Sequence, residues 1–118
     1  MKINYFVLGT NNMDAAIQFY DALFADTGIN RTLQTDRMTY WQSEDFAFAL
    51  AIPFDHQTAT NGNGTMLGFN VDSVEEVNRL HAKALELGGS CEGEPNQRGL
   101  MYSAYVRDLD GNKLNFYK

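Results

Sequence analysis

Hydrophobic residues recur along this chain with two periods, and the periods alternate in a repeated order. Met13, Ala16, Ile17, Tyr20, Leu23 and Phe24 have the spacing of one helix face, with Asn12 as a cap before them and Gly28 after them. Val74, Val77, Leu80, Ala84 and Leu87 repeat that spacing, between Ser73 and the pair Gly88-Gly89. Ser73 followed three residues later by Glu76 is a capping box, and glycine suits the left-handed turn that ends a helix. Each predicted helix follows a stretch of period-two alternation, residues 3–8 and then 66–71, which reads as a strand. Three short strands are expected after each helix, over 31–35, 38–42 and 46–52 in the first half and 90–92, 101–107 and 113–117 in the second. Asp110-Gly111, within the segment 108–112, signals a hairpin turn between the last two.

The halves are related by a constant offset. Asn12 and Ser73, Gly28 and Gly89, and Tyr5 and Met66 are all 61 positions apart, and three equal offsets point to a structural duplication. The expected fold is therefore α+β, with two tandem βαβββ modules at about 1–53 and 65–118. Residues 53–64, rich in Thr, Asn and Gly, read as the connecting loop. The strands would form a curved, largely antiparallel sheet or barrel-like cup with the helices outside.

Strand parity assigns faces. Phe46, Phe48, Leu50 and Ile52 give a helix a bulky surface to pack on, and the alternate positions Ala47, Ala49 and Ala51 look the other way. By the same alternation Leu67, Phe69 and Val71 oppose Met66, Gly68 and Asn70. Tyr102, Ala104 and Val106 oppose Ser103, Tyr105 and Arg107, and Leu114 and Phe116 oppose Lys113, Asn115 and Tyr117. The helix-free side thus mixes apolar area with a few polar groups able to converge. That is the composition of a small-molecule cleft, and equally of a face packed on another module or a second chain.

Composition narrows the choice. The chain is 44% hydrophobic and 20% charged, and it has no apolar run approaching the roughly 20 residues that span a bilayer. A net charge of -6 with scattered cations disfavours nucleic acid. One cysteine, Cys91, cannot make an internal disulfide, and the start of the chain lacks a signal-peptide pattern, so a cytoplasmic setting is expected. His81 falls mid-helix and reads as structural. Asp55-His56 could serve acid-base chemistry but reads first as a solvated loop, and Glu92 beside Cys91 disfavours a reactive thiolate.

Three segments carry a resemblance: Asn11-Asn12-Met13-Asp14-Ala15-Ala16-Ile17-Gln18-Phe19-Tyr20, Leu67-Gly68-Phe69-Asn70-Val71-Asp72 and Asp108-Leu109-Asp110-Gly111-Asn112-Lys113-Leu114. The chain resembles the vicinal-oxygen-chelate superfamily, which includes glyoxalase I, extradiol dioxygenases, fosfomycin-resistance enzymes and bleomycin-binding proteins. The resemblance implies a divalent metal held by His and Glu on the cup-facing sides of the strands. Here those positions hold Tyr5, Met66 and Asn115, and a further acidic ligand of some members falls among Ala47, Ala49 and Ala51. Such residues offer weak, neutral donors at best, so no metal cofactor is expected at that position.

The first expectation is metal-independent binding of a small molecule, lined by Tyr5, Met66, Ser103, Tyr105, Arg107 and Asn115. Trp41 or Tyr40 and the 53–64 loop are expected at the rim. Arg107 would meet a carboxylate or phosphate, or else pair with Asp108 or Asp110. The second expectation is a glyoxalase-like lyase or isomerase with an atypical metal site or none, using Tyr5 or Tyr105 as acid or oxyanion donor. Superfamily resemblance also implies a homodimer, and neither nucleic acid nor membrane is expected as a partner.

Overall fold

The computed structural model describes residues 1–118. The elements run β1 (Tyr5–Gly9), α1 (Met13–Leu23), β2 (Asn30–Gln34), β3 (Met38–Gln42), β4 (Ala47–Ala51), β5 (Leu67–Asn70), α2 (Val74–Glu86), β6 (Ser90–Arg98), β7 (Met101–Arg107) and β8 (Lys113–Tyr117). This is strand, helix and three strands, twice. No helix is long and apolar enough to cross a membrane.

The chain divides into two compact units, Met1–Asn61 and Gly62–Lys118. Each has its own four-stranded sheet, ordered β1-β4-β3-β2 in the first and β5-β8-β7-β6 in the second. The barrel-like alternative does not arise, because the ladders form two separate open sheets. Each sheet is mixed: its first and last strands pair in parallel and the other neighbours are antiparallel. The parallel pairing follows from the helix, which carries the chain back across the sheet before the remaining strands are laid down.

Register shows where the duplication is regular and where it drifts. Phe6 pairs with Phe48 and Leu8 with Leu50, while Leu67 pairs with Leu114 and Phe69 with Phe116. The first strands are therefore offset by 61, and the last by 66. The added residues lie in part in β6, which extends to Arg98, well past the expected 90–92, and carries two register shifts against β7.

Both helices start on the expected caps. The Asn12 side chain accepts from the Ala15 N–H at 3.1 Å and that of Ser73 from the Glu76 N–H at 3.1 Å, each worth about 1 kcal/mol. The Glu76 carboxylate does not complete the box by reaching back; it pairs with Arg79. At the end of α2 the Gly89 N–H reaches the Ala84 carbonyl at 2.9 Å, and Gly88 turns at φ +100°. The first helix stops sooner, at Leu23, and Asp26 adopts φ +64° before Gly28.

In the first unit, Tyr20, Phe24, Trp41 and Phe48 form an aromatic core under α1, with the Tyr20 and Phe48 centroids 4.7 Å apart. In the second, Val77, Leu80 and Ala84 of α2 are buried with Ala104, Val106, Leu114 and Phe116. The hairpin segment 108–112 is organised by buried Asp108. Its Oδ1 accepts from the Asp110 and Asn112 N–H groups, and its Oδ2 accepts from the Asn112 amide at 3.0 Å.

Candidate functional site

The helix-free face of the first sheet is built from alternate residues of three strands. Tyr5 lies opposite Ala47, Tyr40 opposite Ala49 and Gln42 opposite Ala47. Ala47 keeps this surface low, and with Asn4, Tyr5, Tyr40, Gln42, Glu44 and Asp45 it lines a depression of about 370 Å³; Phe46, just before β4, lines it too, although alternation assigns it to the helix side. Tyr5 is 61% exposed there.

Trp41 does not belong to this surface, contrary to expectation. It is only 1% exposed, lies in the aromatic core on the helix side, and donates from Nε1 to Asp21 Oδ1 at 2.9 Å. Odd and even residues of β3 face opposite ways, so the neighbour Tyr40 takes the place on the helix-free side.

The segment after β4 is also more than a connector. The Asn11 side chain and the Ala59 backbone exchange two hydrogen bonds, at 2.7 and 3.1 Å. A Cβ on Gly9 would come within 2.9 Å of the Ala59 Cβ. Residues around 59 are thereby held against the Gly9 end of β1. Arg37 holds the same segment nearer β4, donating to the Ile52 carbonyl at 2.9 Å and lying over the Phe54 ring. The Asp55 carboxylate accepts from the Gln57 N–H, a turn-forming contact.

The helix-free face of the second sheet brings Tyr105, Asn115, Arg107 and Ser103 together as parity requires. Tyr105 lies directly opposite Asn115. The Asn115 side chain is buried, and its Nδ2 donates to the Ala104 carbonyl at 3.1 Å and the Phe116 carbonyl at 3.4 Å. Ser103 is buried too. Met66, immediately before β5, is half exposed.

Charge on this face differs from the sequence expectation in two ways. Arg107 pairs with Glu92 at 2.9 Å and donates to the Gly111 carbonyl at 3.0 Å, instead of pairing with Asp108 or Asp110. Its hydrogen bond holds the Glu92 carboxyl below the usual glutamate range. Arg107 is also accompanied by other cations. The Arg98 guanidinium lies 5.1 Å from the Tyr105 ring centroid and the Lys113 ammonium 5.3 Å. Cations scattered along the sequence thus gather around one tyrosine. Arg98 is anchored by bonds to the Ser103 and Glu94 carbonyls. Sequence reasoning missed Arg98 because the length of β6, and with it the parity of residue 98, was not legible.

The model of the Glyoxalase/Bleomycin resistance protein/Dioxygenase superfamily matches residues 2–116. The chain belongs to this superfamily. A glyoxalase/bleomycin resistance protein from Albidiferax ferrireducens T118 is 33% identical and superposes with a TM-score of 0.90, over 98% of this chain and 97% of that one. A hypothetical protein from S. aureus is 27% identical, with a TM-score of 0.79 over 99% and 92% of the two chains. A lactoylglutathione lyase from Agrobacterium tumefaciens, 20% identical, shares the fold at a TM-score of 0.75 over 98% and 92%. No curated protein sequence gives a significant match. Within this glyoxalase-like fold, the positions to which the resemblance assigns metal ligands hold a phenol, a thioether and a carboxamide. None of these is the imidazole, carboxylate or thiolate that such ions prefer.

Proposed function

We propose that this superfamily member binds a small molecule on the helix-free face of its first sheet, without a divalent metal in the superfamily position. The observation that carries the reading is Tyr5. It stands where the resemblance places a metal-binding histidine, and it lines a depression together with Tyr40. Aromatic area of this kind supplies apolar contact with one polar end. On the second unit, Tyr105 with Arg98 and Lys113 near its ring offers a surface of its own with positive charge, suited to a carboxylate or phosphate. Asn115 supports the metal-free part of the reading, because a neutral carboxamide is a weaker ligand for such ions than a carboxylate.

The test is a thermal-shift screen of metabolites and antibiotics, with and without EDTA. A ligand at about 100 times its Kd should stabilise the fold by roughly 2.7 kcal/mol. The expected result is a shift that persists in EDTA and disappears in Tyr5→Ala and Tyr40→Ala. A shift that vanishes with chelator and returns with Ni(II) or Zn(II) would overturn the metal-free assignment. Turnover of the methylglyoxal–glutathione hemithioacetal would favour the lyase reading instead. The protein is further proposed to act as a homodimer in the cytoplasm, and light scattering at micromolar concentration checks the oligomeric state.

A further inference from the structure

His81, Cys91 and Glu94 meet on the helix side of the second sheet, away from the groups discussed above. His81 is buried mid-α2, on the face that also buries Val77, Leu80 and Ala84. Its Nε2 lies 3.4 Å from Cys91 Sγ, Sγ lies 3.3 Å from Glu94 Oε1, and all three donor atoms are within 4.8 Å of one another. Cys91 and Glu94 are exposed.

Regular strand geometry would not produce this cluster. Residues 91 and 94 are an odd number apart, so an unbroken ladder would point them to opposite faces. The register shift between Cys91 and Gly93 changes that. Cys91 pairs with Val106 on the helix side, whereas Gly93 pairs with Tyr105 on the helix-free side, so one step on β7 spans two on β6. Glu94 then returns to the helix side beside Cys91. Gly93 permits the bulge, since a Cβ there would lie 2.8 Å from the Tyr105 ring.

We propose that His81, Cys91 and Glu94 form a binding site for a zinc-class divalent cation. A tetrahedral zinc with bonds of about 2.3 Å to sulfur and about 2.0 Å to nitrogen or oxygen separates its donors by roughly 3.3–3.6 Å. The Nε2–Sγ and Sγ–Oε1 separations already fall at or near that range. Imidazole with thiolate and carboxylate is also the donor set that borderline ions select, and one thiolate with one carboxylate balances the charge of the ion. The exposure of Cys91 and Glu94 leaves the fourth position to water. Without metal a free thiol is largely protonated near neutral pH. Binding therefore forms the sulfur–metal bond and releases the thiol proton to solvent, with no change of oxidation state.

The experiment strips the full chain with chelator and titrates it with Co(II), then with Zn(II). One equivalent of Co(II) should give a thiolate-to-cobalt charge-transfer band in the near ultraviolet, which Zn(II) removes, with about one proton released per ion near neutral pH. Cys91→Ser should abolish the band, and both Cys91→Ser and Glu94→Gln should weaken Zn(II) binding at least about tenfold. Both residues are exposed, so the folded state is expected to survive, as far-ultraviolet circular dichroism will show. Tyr5→Phe and Met66→Leu should leave Zn(II) binding unchanged. Absence of the band in the wild type, or equal Zn(II) affinity in Cys91→Ser, would overturn the site. Neither result touches the small-molecule reading, whose readout is a metal-independent thermal shift.

Discussion

The side-chain amide of Asn115 donates to the main-chain carbonyl of Ala104, 3.1 Å away on the neighbouring strand, and so serves the sheet itself. A second bond, to the Phe116 carbonyl, shares the same nitrogen. Asn115→Ala should cost about 1 kcal/mol, the net worth of a buried hydrogen bond, read as a lower denaturant midpoint at unchanged m-value. An unchanged midpoint would show that this amide does not support the sheet.

Tyr40 and Trp41 are neighbours with opposite assignments, and the contrast separates ligand binding from stability. Trp41→Phe removes the indole bond to Asp21 and part of a close-packed ring, and should cost roughly 1–3 kcal/mol while sparing ligand binding. Tyr40→Ala should do the reverse, abolishing ligand-induced shifts with less effect on chemical denaturation. Loss of binding in Trp41→Phe alone would contradict the face assignment.

The Asn11–Ala59 clamp governs the segment after β4. Asn11→Ala should speed protease cleavage within residues 53–61 while global stability falls by only about 1 kcal/mol. Gly9→Ala should act in the same direction, because the added methyl meets the Ala59 Cβ at 2.9 Å. An unchanged cleavage rate in both variants would show that neither contact holds the segment.

Two glutamates give the acid limb of stability a definite sign. The hydrogen bond from Arg79 holds Glu76 below the ordinary range, and that from Arg107 does the same for Glu92. A depressed carboxyl contributes stability that is present above its unfolded value, about 4.3, and is lost as pH falls through the lower folded value. Both pairs are solvent-accessible, so the contribution is small and weakens with salt. Glu76→Gln and Glu92→Gln should therefore differ from wild type at neutral pH and converge with it at acid pH. Carbon-detected NMR titration should place both carboxyl midpoints below those of exposed glutamates, and ordinary midpoints would refute the pairing.

Element order was legible because each signal is local. Asn12, Ser73 and Gly88 act on the backbone within one turn, and β3, β7 and β8 have the bounds that alternation predicts. Parity also placed Tyr5, Tyr105 and Asn115 opposite the helices. Trp41, expected at the rim as an alternative to Tyr40, shares parity with Thr39, which is buried on the helix side, and so points inward.

What the sequence determined by itself was the twice-performed βαβββ order and the caps, because short-range periodicity and motif position require no knowledge of partners. Tertiary structure decided the rest. A bulge adds a residue to one strand only, and the Cys91–Gly93 shift becomes visible only against β7. That shift turns Glu94 toward His81, and the extended pairing of β6 with β7 carries Arg98 to Tyr105. Contacts between residues far apart in the chain depend on register, and register is set by the paired strand.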